Sequence, residues 1–187
     1  MNEEVHNRMR GSEKIFYSRD EVVDDSNTKV VTTEFLNSIN TSSLPPHRLK
    51  LKVGSIVMLL RNLDVASGLC NGTRLTVLEL GRRMLKCKYS TGSRIGKTVL
   101  IPRIDCYDDN NLAFKLRRTQ FPVRLAFALS INKSQGQSFS RIGLWLPEDV
   151  FTHGQLYVAL SRVRSKKGLF VKTENSNLLN VVFTEVL

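Results

Sequence analysis

Two short segments of this chain carry side chains whose types and spacing suit the holding of a phosphate. The first is Asn132-Lys133-Ser134-Gln135-Gly136-Gln137, a polar loop with one Lys, several amides, a Gly and no acid. Ammonium, hydroxyl and amide groups all donate hydrogen bonds to anionic oxygens, so the loop suits an anionic partner such as phosphate. The second runs from Gly154 to Arg162, where Gln155, Val158 and Arg162 share a face by their spacings of three and four. A guanidinium aimed from a rigid helix grips phosphate through two parallel hydrogen bonds. On spacing alone each segment has a plainer reading: a polar turn after a core strand, and a solvated helix cation.

The elements that must position these groups are written around them. The run 122–129 is nearly all apolar, with Pro122 before it and the Gly-bearing loop after it. This predicts a central strand that ends in the loop. In open α/β sheets, ligands bind where the carboxyl ends of strands release their loops. Leu156, Ala159, Leu160 and Val163 recur at i, i+3, i+4 and i+7, which predicts a helix over roughly 152–163 with these four as its buried stripe. Strands are predicted at 141–146 and at 169–173, making strand–loop–strand–helix–strand, a piece of a mainly parallel sheet. Arg164, Lys166 and Lys167 suit the solvated C-terminal end of that helix.

Charge narrows the partner. The formal net charge is +11, unevenly spread: residues 1–50 hold 7 Lys/Arg against 8 Asp/Glu, and residues 51–187 hold 21 against 9. The basic portion is contiguous, the electrostatic footprint expected for a polyanion such as nucleic acid. Within it, strands are predicted at 53–60, 73–80, 84–89 and 98–101, with turns at Asn71-Gly72, Gly81 and 92–96. Short strands at this spacing suggest a small antiparallel barrel. Residues 82–103 contain Arg82, Arg83, Lys86, Lys88, Arg94, Lys97 and Arg103 and no acid, so one face of the barrel suits tracking of a phosphate backbone. Tyr89 and Tyr107 are the candidates for base stacking. Before residue 51, the sequence predicts a short helix at 34–39 capped by Thr32 or Thr33, and an extended break at 42–46 with two prolines.

Other chemistries are disfavoured. Cys70, Cys87 and Cys106 form no C-x-x-C pair, and His6, His47 and His153 are scattered, so no metal site is expected. Free thiols fit a reducing compartment. No apolar run approaches the roughly 20 residues that span a bilayer, and Met1–His6 lacks the features of a secretory signal. No membrane partner is expected. Gly92 to Thr98 ends in Gly-Lys-Thr, but Thr91 occupies the place of the first Gly of a phosphate loop, so a basic hairpin turn is expected there.

Seven blocks then point to a family. They are 44–54, 57–64, 68–75, 100–104, 120–124, 132–137 and 154–162. Together they resemble the C-terminal half of Pif-type DNA helicases, with the version carried by Helitron transposons nearest in flavour. The resemblance implies an α/β fold: a partial RecA-like second helicase lobe with an inserted small antiparallel β-barrel of the Src-homology-3-like kind. It implies three segments: 1–50 as the start of that lobe and a linker, 51–110 as the barrel, and 111–187 as the remainder of the lobe. It also implies roles. Asn132, Lys133, Ser134, Gln135 and Gly136 match the fifth helicase motif, at the junction of DNA and nucleotide. Residues 155–162 match the sixth, where Gln155 and Arg162, with Gln135 and Gly136 of the fifth, are the expected ATP contacts and Arg162 is the catalytic arginine finger. Asn132, Lys133 and Ser134, with Arg82, Lys86, Lys88, Arg94 and Lys97, are then the expected DNA contacts.

The family's phosphate loop and magnesium-binding motif have no counterpart in this sequence, and Phe139 stands where Leu is usual. ATP and Mg2+ are therefore expected only with a first RecA-like lobe, in cis or in trans, and no cofactor for the chain alone. The expected partner is single-stranded DNA, the expected state a monomer, and the expected compartment the nucleus, with the mitochondrion second. A single-strand-binding module without motor activity and a foldable transposon remnant stay open as alternatives.

Overall fold

The computed structural model describes residues 1–23, 31–108, 114–174 and 179–183. The chain forms two compact units, residues 1–128 and 129–187. No helix among the described residues is long and apolar enough to cross a membrane.

Among its described residues, unit 1 contains helices α1 (Asn2–Arg8) and α2 (Thr33–Ser38) and ten strands. These are β1 (Lys14–Tyr17), β2 (Arg19–Val22), β3 (Arg48–Leu51), β4 (Ile56–Leu59), β5 (Arg74–Leu80), β6 (Met84–Tyr89), β7 (Thr98–Pro102), β8 (Ile104–Asp108), β9 (Leu116–Gln120) and β10 (Val123–Leu125). They form a five-stranded sheet in the order β10-β4-β5-β6-β7, a three-stranded sheet β2-β9-β8 and a pair β1-β3, all antiparallel. Alternation drives this arrangement. In β6, Leu85, Cys87 and Tyr89 turn inward while Lys86 and Lys88 turn outward. The inward residues join Leu49, Leu51, Val57, Leu59, Leu75, Val77, Ile101, Phe121 and Val123 in one core. Burial pushes the Cys87 thiol up to about 12, as expected of an inert core cysteine.

The helix expected at 34–39 is α2, and Thr32 Oγ1 caps it by accepting from Phe35 N at 3.3 Å. It covers a second cluster, Leu36, Leu44, Cys106 and Leu116. Arg118, fully buried, ties this region together. Its Nη2 donates to Asp20 Oδ2 at 2.6 Å and to Leu36 O at 2.9 Å, and its Nη1 to Ile39 O at 2.9 Å and Pro45 O at 3.1 Å.

Three expectations are corrected here. The run 122–129 is not a central strand: only Val123–Leu125 are extended, at the edge of the sheet and antiparallel to β4. Its apolar character comes from core packing of Val123 and Ala126, not from burial on both faces of a sheet. Tyr89 is buried and gives its hydroxyl proton to Ser67 O at 2.6 Å, so it cannot stack on a base. Tyr107 is exposed, but it belongs to β8 in the three-stranded sheet. The segment 111–187, expected as one piece, contributes β9 and β10 to unit 1 because both pair with earlier strands.

Unit 2 contains a 3-10 turn (Asn132–Ser134), β11 (Ile142–Leu146), α3 (Gln155–Leu160), a second 3-10 turn (Lys166–Gly168) and β12 (Leu169–Thr173). β11 and β12 pair in parallel, as the βαβ rhythm predicts. Leu144, Leu146, Val150 and Ala159 form the core, with Leu156 and Leu169 against it. α3 is six residues long, half the expected length. Gly154, at φ +72, delays its start, and after Ser161 the chain leaves the helix to bond with Phe139. Leu160 is 38% exposed and does not join the stripe.

Candidate functional site

The two phosphate-suited segments meet in unit 2. Phe139 N donates to Arg162 O at 2.8 Å and Arg164 N to Phe139 O at 3.2 Å, so the chain after α3 is zipped to the chain after the polar loop. Gly168 permits the close approach of the following turn, since any Cβ there would strike the Ser140 carbonyl.

Arg162 is half-buried, and three bonds set its direction. Nε donates to Val158 O at 2.9 Å, Nη1 to Gln137 O at 3.2 Å and Nη2 to Ser161 Oγ at 2.8 Å. Arg162 lies two residues beyond the end of α3, so the first of these bonds ties it to a backbone carbonyl of the helix, and the expected helix face of Gln155, Val158 and Arg162 is not completed within α3. All three acceptors are neutral, and no carboxylate among the described residues pairs with this guanidinium. It retains charge and donor capacity for an anion.

The loop is wound tightly. Ser134 Oγ donates to Ile131 O at 2.6 Å, Gln135 N to Asn132 O at 3.3 Å and Gln137 N to Ser134 O at 3.0 Å. Gly136, at φ +75, takes a backbone conformation that other residues rarely adopt. Asn132, Lys133, Gln135 and Gly136 are exposed. Gln137 is the residue that sequence reasoning missed. Its backbone orients Arg162, its Nε2 donates to Lys133 O at 3.2 Å, and its Oε1 is buried without a partner. The available signal was its place inside the polar loop. Gln155 Oε1 accepts from Phe151 N at 3.1 Å and so shapes the approach to α3.

The unit 1 cations expected to contact DNA lie along β6 and its flanking turns. Lys86 and Lys88 share its outward face, Arg82 is exposed in the turn before it, and Lys97 is exposed in the hairpin turn after it. That turn is a basic hairpin, as expected at 92–98, with Gly96 N bonded to Tyr89 O at 2.9 Å. Two of the expected contacts are engaged within the fold. Lys86 pairs with Glu79 at 2.6 Å, and Arg94 donates to Ala66 O at 2.8 Å, bracing the 64–69 loop. The Lys86 pair is solvent-exposed and worth little, so the lysine remains exchangeable.

A family model described as "DNA helicase Pif1, 2B domain" matches residues 34–80. The chain is 36% identical over 145 residues to the ATP-dependent DNA helicase PIF1 of Danio rerio, a match covering 73% of this chain and 21% of that protein. It is 39% identical over 126 residues to the Homo sapiens protein of the same name, covering 66% of this chain and 19% of the relative. The crystal structure of Pif1 helicase from Candida albicans superposes with a TM-score of 0.68 and 30% identity, over 93% of this chain and 42% of that one. Bacteroides Pif1 bound to ssDNA gives 0.63 and 28%, over 90% and 37%.

These matches support a fragment of the Pif1 helicase type. The chain spans about a fifth of the length of the animal PIF1 relatives it matches. Pif1-type similarity covers both units, since the solved structures superpose on nine-tenths of the chain.

Proposed function

We propose that this chain supplies the C-terminal portion of an ATP-dependent 5′→3′ DNA helicase: a partial second RecA-like lobe carrying a Src-homology-3-like barrel, of the Helitron-transposon-like version. The observation that carries the reading is Arg162, held beside the Gln137 carbonyl with only neutral partners among the described residues. A triphosphate bound on a first lobe, in cis or in trans, supplies the phosphoryl group and with Mg2+ its activation. Arg162 then holds the charge that develops on the γ-phosphate oxygens, a role typically worth about 10³–10⁵ in rate. Gln135 and Gly136 line the nucleotide side of the loop, and Gln155 fixes the entry to α3. Asn132, Lys133 and Ser134 meet the DNA strand, and the β6 cations Arg82, Lys86, Lys88 and Lys97 continue the track, with Arg94 bracing it. Such DNA lies in the nucleus first and the mitochondrion second.

The test is additive. The purified chain alone turns over no ATP; mixed with, or fused to, the nucleotide-binding lobe of a Pif1-type relative, it restores DNA-stimulated hydrolysis. Turnover by the chain alone, abolished by Arg162→Ala, contradicts this. The second reading, a single-strand-binding module without a motor, draws on the cation line of β6. It predicts salt-dependent strand binding and no hydrolysis in either mixture.

A further inference from the structure

Among the arginines of unit 1, Arg118 is fully buried and Arg124 half-buried, and of these two only one has an acid against it among the described residues. Arg118 has Asp20. The Nη2 of Arg124 donates to Asn40 Oδ1 at 3.0 Å, to Leu44 O at 3.0 Å and to Thr41 O, all neutral acceptors. Its Nε is buried without a partner, and its Nη1 makes no bond among the described residues. Burial holds this guanidinium below its ordinary value, the mark of a cation whose charge is under-compensated.

Arg124 lines a cleft of about 260 Å³ within unit 1. Arg48 and Lys50 line it too, from alternate positions on β3, while Leu49 between them and Leu51 after them are buried. Arg48 lies 6.0 Å from the Tyr17 ring centre, and Lys50 has no carboxylate partner among the described residues. Asn7 adds an amide from α1, and Glu3 is the one acid in the lining. Three cations face one carboxylate in a concave site. Pockets for whole small-molecule ligands begin at about 300 Å³, so this cleft suits a smaller group.

We propose that this cleft binds the phosphate group of a nucleotide, with Lys50 and the Arg124 Nη1 edge as its donors and Arg48 at its rim. It is a site separate from the Arg162 loop and from β6. The phosphate has two sources, a strand backbone or a free phosphate. Only the first rests on the proposed function.

The experiment uses the full chain, 15N-labelled, and reads amide shifts of Asn7, Lys50 and Arg124. One arm titrates inorganic phosphate, the other a short oligo-dT. Saturable shifts in both arms, lost in Lys50→Ala and kept in Lys50→Arg, support a site for any phosphate. Saturation by oligo-dT alone supports a strand site, and by phosphate alone a free-anion site. Shifts that grow without saturating, or no shifts in either arm, overturn the proposal. For the strand source, the slope of log affinity against log salt falls by about 0.7 in Lys50→Ala. An unchanged slope removes the strand from this cleft while leaving strand binding on β6 intact, and loss of all strand binding by the native chain counts against the proposed function instead.

Discussion

In unit 1, Arg118 is fully buried, donates to Asp20 and three carbonyls, and ties down the cluster of Leu36, Leu44, Cys106 and Leu116. In unit 2, Arg162 is half-exposed and, among the described residues, donates only to neutral oxygens, while the core there is Leu144, Leu146, Val150 and Ala159. The same side chain is saturated in one region and left with spare capacity in the other. Removing a paired, buried cation strands its carboxylate, so Arg118 bears on stability. Removing a cation with no carboxylate partner among the described residues strands nothing charged, so Arg162 is the residue on which the proposed function rests. Small units with little buried surface are marginal, so unit 2 is expected to be the less stable of the two.

The sharpest way to break this contrast is Arg118→Ala. We expect a loss of about 3–5 kcal/mol, measured by urea unfolding and followed by circular dichroism. A loss under about 1 kcal/mol would remove the distinction. Next is Leu144→Ala in unit 2, with an expected cost of about 2–5 kcal/mol. Hydrogen exchange should then show residues 142–173 losing protection while β4–β7 keep theirs; equal loss in both units counts against separate stabilities.

His47 sharpens the account of the Arg118 region by pH. Burial holds its imidazole below the ordinary 6.5, against the pull of nearby Asp20 and with that of Arg118 and Arg48. The folded state thus resists a proton that the unfolded state accepts. Stability is full above about pH 6.5 and declines as pH falls from there toward the folded value. His47→Gln should flatten that part of the profile, read as urea midpoint against pH; an unaltered slope assigns the dependence elsewhere. The smallest effect belongs to Lys88→Ala on the outward face of β6. Stability should change by no more than about 0.5 kcal/mol, while the salt slope for single-strand binding drops by about 0.7.

Local pattern made much of this legible. The Thr32 cap, the alternation of β6 and the parallel β11–β12 pair all follow from spacing within a few residues. The polar loop and Arg162 stood out by residue type. What spacing does not encode is long-range pairing. β10 is short because its neighbours are β4 and the core, not two flanking strands, and α3 stops early because Arg162 and Arg164 bond to Phe139, more than twenty residues away. The strands β1, β2, β8 and β9 carry mixed charge, since their burial is resolved by partners such as Asp20 with Arg118 and Glu21 with Arg117. Gln137 was overlooked for a similar reason: its contribution to Arg162 is a backbone carbonyl, which no side-chain pattern advertises.

The most direct test joins this chain to a nucleotide-binding lobe of a Pif1-type relative and compares DNA-stimulated ATP hydrolysis for the native sequence and Arg162→Ala. The account predicts a fall of at least about 10³-fold with ATP affinity and urea midpoint little altered. Hydrolysis that survives the substitution at the native rate would contradict it.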